Sequence, residues 1–269
     1  MKFFYITVLK FYQLKISNKM KNFLIIALTY FSLNAFSQTR ENWEYWNTWV
    51  YKPKAGMTEQ FEKAAGKKTK KFNSSKDNLI VTFKVVTGAN SGQYVRIMPW
   101  QSSADYDKDR SEELKYWQDN VAEYADPIGG SQRWARMKWG DMNIKEGEGP
   151  AKYLTQTDYL VKSDRWDDFR RWLERIGDIY GERVPEHRRI LLTLISGGNW
   201  NLTTSFVGFN QYDRKSNEFD TTWEEEYNEK FGANSWNYDR KAFRESIEVI
   251  VGQQVQTLEL VESMLPNMN

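Results

Sequence analysis

Along this chain two hydrophobic periods alternate, a period of two that predicts strands and a helical period near 3.6 that predicts amphipathic helices. Trp43 to Tyr51 is aromatic and β-branched, stops at Pro53, and predicts a strand. Ala55 to Phe72 sets Met57, Phe61, Ala64 and Ala65 on one stripe among Lys and Glu, which predicts a helix. Leu79 to Trp100 is two apolar runs around a Gly/Asn turn, the pattern of a hairpin. Helical spacing returns in Ser102 to Tyr124 through Leu114, Trp117, Val121 and Tyr124. Pro127 and Gly129-Gly130 end it, and Arg133 to Met142 adds a second amphipathic piece with Trp134 on its stripe.

The order then restarts after Glu146 to Pro150, the one linker-like stretch beyond the first 37 residues. Tyr153 to Val161 predicts a strand, and Ser163-Asp164 predicts the cap of a helix with Trp166, Phe169, Leu173 and Ile176 on its stripe, ending near Gly181. A second hairpin runs from Arg189 to Phe209, helical pieces cover Thr222 to Phe231 and Tyr238 to Val251, and Gln254 to Val261 closes with a strand. The hairpins are related by a shift of 109 positions, which lays Gly88 on Gly197, Asn90 on Asn199, Ile97 on Phe206 and Trp100 on Phe209. A shift of 108 lays Tyr51 on Tyr159 and Phe61 on Phe169. A constant offset across several elements is the mark of a duplicated unit.

Each half therefore predicts β-α-β-β-α, with a closing strand plain only in the second, which is the ferredoxin-like split βαβ order. The fold class expected is α+β, with residues 38–147 and 151–269 as two halves. Strand, proline, helix and glycine-turned hairpin, doubled over nearly all of residues 43–262, resembles the dimeric α/β-barrel superfamily with its antibiotic-biosynthesis-monooxygenase-like and NIPSNAP-like members. The resemblance implies two ferredoxin-like units with their sheets face to face, here a fused tandem pair closing a barrel within one chain. Members range from cofactor-free oxygenases to haem enzymes and proteins without known activity, so the resemblance implies no single reaction.

Composition changes the picture mainly at the N-terminus. From Met20, the expected true start, come a lysine, an 11-residue apolar run from Phe23 to Leu33, and the small residues Ala35 and Ser37 before Gln38. This is the pattern of a signal peptide cleaved after Ser37, and the run is well short of the roughly 20 residues that span a bilayer. The first 37 residues hold five lysines and no acid, so their removal turns the net charge of +2 into −3. Such a near-neutral remainder gives no footprint for nucleic acid, and Lys67 to Lys71 reads as the solvated end of a helix. With no cysteine there is neither a disulfide nor an N-terminal lipid anchor. The expectation is an exported, periplasmic or secreted protein without a membrane span after leader removal.

Candidate chemistry is sparse. His187 is the single histidine, which excludes a histidine-rich zinc site, and no Gly-x-Ser-x-Gly elbow surrounds a serine. Asp105 to Asp109 opens like a calcium loop, but Arg110 stands at the turn-glycine position and Tyr116 at the closing-glutamate position. His187 lies among charged and turn residues, which places it at the surface rather than on a haem iron. No metal and no cofactor is expected. All 12 tryptophans follow the leader; Trp117, Trp134, Trp166, Trp172 and Trp223 fit helix stripes, while Trp43, Trp46, Trp49, Trp100 and Trp200 fall on strands or turns where they can line a cavity.

In the first hairpin, alternation puts Val81, Phe83, Val85, Val95 and Ile97 on one apolar face, expected against the helices. Thr82, Lys84, Tyr94, Arg96, Met98 and Trp100 then face the barrel, joined by Thr193, Thr203, Ser205 and Phe209 of the second half. The candidate ligand-binding set is Lys84, Tyr94, Arg96, Trp100, Tyr159, Phe209 and Glu259, where Lys84 and Arg96 need an acid such as Glu259 or an anionic ligand. Two functional readings follow: a barrel that binds a small, partly aromatic or anionic molecule as a binding protein or cofactor-light enzyme, or a structural protein of the cell envelope whose aromatics are core.

Overall fold

The computed structural model describes residues 43–145, 147–199, 201–212, 219–248 and 253–267; the predicted leader, Glu146 and Trp200 lie outside the described residues. Its elements run β1 (Tyr45–Pro53), α1 (Thr58–Phe72), β2 (Val81–Val85), β3 (Tyr94–Gln101), α2 (Ser111–Asn120), β4 (Ala125–Pro127) and β5 (Gln132–Arg136). They continue as β6 (Tyr153–Leu160), α3 (Trp166–Arg183), β7 (Arg188–Ser196), β8 (Leu202–Phe209), α4 (Trp223–Phe231), α5 (Ser235–Glu245) and β9 (Gln253–Leu260). Hydrogen bonding passes along β3-β2-β9-β6-β8-β7-β5-β1 and returns to β3, so eight strands close into a barrel with no free edge between them. Two seams join the halves: β2 pairs with β9, Lys84 opposite Glu259, and β5 pairs with β7, Trp134 opposite Leu194.

Most elements form where the pattern puts them, and the departures have local causes. Arg133 to Met142 is a strand at its start and not a helix: β5 is clamped between β1 and β7, and Trp134 turns inward to donate its indole N–H to Thr48 Oγ1 at 2.9 Å. β4 and β5 pair along the same edge of β1, opposite Lys52 and Trp46, and so make one interrupted closing strand. Ser163-Asp164 does not cap α3. Lys162 N–H is bound to Ser246 C=O at 2.8 Å and the helix begins only after Arg165. Helix α4 does start on a capping box, Thr222 with Glu225, as Thr-x-x-Glu predicts. Helix α5 lies earlier than expected, and residues 249–251 of that prediction are outside the described residues.

Three apolar clusters show which face of each strand is inside. One joins Trp46 (β1), Phe83 (β2), Ile97 (β3), Trp134 (β5), Leu192 (β7), Phe206 (β8) and Leu258 (β9), strands from all round the ring, and so fills the barrel. The other two lie outside it. Phe61 and Ala65 of α1 cover Tyr94, and Phe169, Trp172 and Leu173 of α3 cover Tyr159 and Leu191. The expected orientation of the hairpin is therefore reversed: Val81, Phe83, Val85, Val95 and Ile97 point into the barrel, while Tyr94 and Arg96 lie under the helices. The physical reason is closure. An eight-stranded barrel has an interior just wide enough for side chains to fill, so the most apolar face goes there. The mixed face is left to amphipathic helices that bring their own polar groups.

The repeat glycines have a backbone reason. Gly88 (φ +90°) and Gly197 (φ +94°) both sit in the left-handed half of conformational space, and a Cβ on Gly197 would meet Ser131 C=O at 2.3 Å. The second hairpin turn packs directly on the connection between β4 and β5. No helix of the described residues is long and apolar enough to cross a membrane.

Candidate functional site

Inside the barrel the apolar filling stops short of one end, where a cavity of about 120 Å³ opens. Val50, Val85, Val95, Trp134 and Phe206 form its apolar wall, and Thr48, Asn90, Gln93, Gln132, Gln156, Asp158 and Gln256 supply its polar groups. Strand alternation puts them there: in β6, Leu154, Gln156 and Asp158 point inward while Tyr153, Thr155, Thr157 and Tyr159 point outward. Each inward position meets its partner on a neighbouring strand, Gln156 beside Gln256 of β9 and Asp158 beside Thr204 of β8.

The polar groups form a directed chain. Gln93 Nε2 donates to Asn90 Oδ1 (3.4 Å), Asn90 Nδ2 to Gln256 Oε1 (3.1 Å), Gln256 Nε2 to Gln156 Oε1 (3.0 Å), and Gln156 Nε2 to Asp158 Oδ1 (3.0 Å). Every amide hands a donor onward, and Asp158 is the terminal acceptor. On the facing wall Trp134 Nε1 donates to Thr48 Oγ1, which donates to Gln132 Oε1 at 3.4 Å. Burial raises the Asp158 carboxyl above the usual carboxylate range, against the smaller lowering by Thr204 and Gln156. Thr204 is close enough to favour the charged form, but its hydroxyl, 1% exposed, reaches no partner in good hydrogen-bond geometry among the described residues. A half-buried carboxylate held by few donors gives up part of its hydration, a cost to a barrel that only has to fold.

The seven residues singled out from the sequence lie elsewhere. Tyr94, Lys84, Glu259, Tyr153 and Phe209 form one cross-strand row over β3, β2, β9, β6 and β8, so four of the seven come together, but on the outer face. Tyr94 gives its hydroxyl proton to Glu62 of α1, and burial with that carboxylate pushes its pKa up. Tyr159 packs on Phe169 and Phe243 beneath α3 and α5, far along β6 from that row. Trp100, the penultimate residue of β3, has φ 59°, is 41% exposed and is not part of the barrel cavity's wall. Trp46 is barrel core and Trp43 is exposed. His187 is corrected too: it is buried, its Nδ1 2.6 Å from the Tyr180 hydroxyl and its ring against Phe209.

Arg96 is the most unusual of the seven. Its guanidinium is buried between sheet and helices, where Nη2 donates to Thr69 Oγ1 at 2.7 Å and the group lies 4.8 Å from the Trp117 ring. Its Nε and Nη1 find no partner among the described residues. Burial pushes it down to about 10, with Tyr51 and Glu113 pulling the other way. That shift amounts to about 3 kcal/mol against the charged form. The acid expected beside it, Glu259, is on the far side of β2. Arg96→Met is therefore expected to leave the melting temperature unchanged or raise it, by up to about 2 kcal/mol of stability; a loss of that size in a thermal melt would show that Arg96 holds the helices down.

What the sequence concealed is the inner polar set, above all Asp158, Gln156, Gln256 and Thr204. The available signal was an acid in the middle of a predicted strand, Thr155-Gln-Thr-Asp-Tyr159, where an exposed face would be the ordinary explanation.

No family model matches the chain, and no curated protein matches it. Among solved structures it is similar to a "putative monooxygenase" of Fusobacterium nucleatum, with a TM-score of 0.56 and 11% identity over 82% of this chain and 93% of that one. It is similar also to a protein of the same description from Lactobacillus acidophilus, with a TM-score of 0.52 and 10% identity over 81% and 94%. Identities this low speak for the fold alone, which is the dimeric α/β-barrel, here closed within one chain.

Proposed function

We propose that this protein binds a small neutral or cationic molecule at the polar end of its barrel, with Asp158 as the principal acceptor. One observation carries the reading: a continuous chain of side-chain amides ending on a half-buried carboxylate, beside a cavity in an otherwise apolar interior. The size of the ligand follows from the volume. About 120 Å³ lies below the roughly 300–1,000 Å³ of pockets for drug-sized ligands, so the molecule has few heavy atoms. Its charge follows from the lining, in which the described residues include no Lys or Arg. This replaces the anionic ligand that Lys84 and Arg96 suggested, because both cations lie outside the barrel.

A purely structural role for the barrel gives Asp158 no task, since an uncharged residue at this half-buried position would avoid its desolvation. Likeness to proteins described as monooxygenases supports small-molecule binding, and Asp158 is the group placed to take or give a proton if the bound molecule reacts. Strand orders β5-β1-β3-β2 and β9-β6-β8-β7 repeat the same sequence positions in each half, which supports the reading of a fused pair of ferredoxin-like units. The basic, apolar and small-residue pattern before Gln38 supports export of this barrel.

Asp158→Asn tests the site. Native mass spectrometry of the intact protein should show a small molecule retained one to one by the wild type and lost from the variant. The variant should also melt higher at neutral pH. With a folded pKa raised above the unfolded value near 4, Asp158 contributes stability that is complete below about pH 4 and is lost as pH rises through the folded pKa. The gain from Asn should therefore vanish below about pH 4. Equal retention by both proteins, or a variant destabilised at neutral pH, would refute the assignment.

A further inference from the structure

The chemistry of the barrel's polar end narrows the ligand further than its size does. Among the described residues Asp158 is the one charged group in the cavity wall, and around it stand neutral amides, hydroxyls and apolar side chains. The amide chain runs toward it, so its amide oxygens are occupied in sequence and the surplus is of acceptor capacity at Asp158. A carboxylate accepts up to about four hydrogen bonds. Here one is well formed. Beside it the hydroxyl of Thr204, a residue only 1% exposed, faces the interior by strand alternation and register, close enough to Asp158 to favour its charged form and with oxygen lone pairs left to accept. Across the barrel lie Val50 and Val95, and two residues along β8 from Thr204 lies Phe206; none of them offers anything to a polar molecule.

An occupant that completes this site brings several N–H donors and a positive charge at one end and a short apolar body at the other. We infer that the ligand is a small primary amine, bound as its ammonium ion with N–H donors to Asp158 and the Thr204 oxygen, and with its alkyl part against Val95 and Phe206. The inference rests on the reading of the barrel end as the binding site. A neutral alcohol would supply one donor and leave the carboxylate's charge uncompensated. A carboxylic acid anion would set two like charges together at close range, which the buried setting makes worse. An ammonium ion offers three donors and charge neutralisation in the same place.

Binding of that kind is linked to the proton on Asp158. An ammonium ion favours the ionised carboxylate, so wherever Asp158 is still protonated in the free protein, binding must release that proton.

The test uses the intact protein and three ligands of nearly equal size: n-propylamine, propan-1-ol and propionate, titrated calorimetrically. The expected result is one site for propylamine, at least tenfold tighter than propan-1-ol, with no binding of propionate. Asp158→Asn should erase the preference for the amine. Propan-1-ol binding as tightly as propylamine, and weakened by narrowing the cavity with Val95→Phe, would overturn the amine while leaving the barrel site standing. Propylamine binding undiminished in Asp158→Asn would put the amine outside the barrel. Binding of neither propylamine nor propan-1-ol would overturn both the inference and the site on which it rests.

Discussion

Glu113→Ala should be among the most damaging single substitutions in the protein, costing about 3–5 kcal/mol. Glu113, from α2, is the acid beneath the first pair of helices, where it takes the Lys68 ammonium and the Asn73 amide on one oxygen and stands 3.9 Å from Arg110 on the other. Lys68 is 5% exposed, and burial brings it down to about 8, with Arg96 lowering it further and Glu113 holding it up. Without Glu113 that ammonium keeps only the Asn73 oxygen at 2.7 Å and faces Arg96 across the same buried layer. At about 2–4 °C per kcal/mol for a chain of this length, the melting temperature should fall by some 6–20 °C. Two controls separate charge from packing. The deficit should shrink above pH 8, where Lys68 can shed its proton in the folded state, and Lys68→Met should recover most of the loss in the double variant. A deficit that is flat from pH 6 to 10, or no recovery, would mean that Glu113 matters only by its shape.

Neither half should fold alone as a monomer. Residues 38–147 by themselves would expose β2 where β9 pairs with Phe83 to Val85, and β5 where β7 pairs with Trp134. They would also expose the inner faces of Val81, Phe83, Val95 and Ile97, which in the whole protein meet Leu192, Leu194, Phe206 and Leu258. Full burial of a large apolar side chain is worth roughly 1.5–3 kcal/mol, so exposing these four, about 6–12 kcal/mol, is comparable to the usual 5–15 kcal/mol of a whole domain. Far-ultraviolet circular dichroism melts and sedimentation of the separate segment should show an unfolded chain or a self-associated one. A sharp cooperative melt from a monomeric half would contradict the account of the barrel as a shared core.

What the sequence made legible and what it hid divide along a physical line. Local signals survived: the glycines at 88 and 197 mark turns that need positive φ, Thr222 and Glu225 cap a helix, and Phe61 and Phe169 anchor α1 and α3 to the sheet. Faces did not survive. Alternation in the first hairpin separates Phe83 from Lys84, but whether Phe83 meets helices or the opposite wall of a barrel depends on ring closure by β2–β9 and β5–β7, contacts between residues more than fifty positions apart. Reversing that choice moved Lys84, Tyr94 and Arg96 out of the barrel and brought Asp158 in. Trp134 was identified as core for the wrong element, because Arg-Trp-Ala-Arg over residues 133–136 fits either period when only four residues long.

The most direct test of the central claim is a crystal structure of the intact wild-type protein grown with n-propylamine. The account predicts density for one small molecule inside the barrel, its nitrogen within hydrogen-bond distance of Asp158 and Thr204 and its carbons against Phe206. A cavity holding only water, with the amine found beneath the helices beside Arg96 or nowhere, would contradict it.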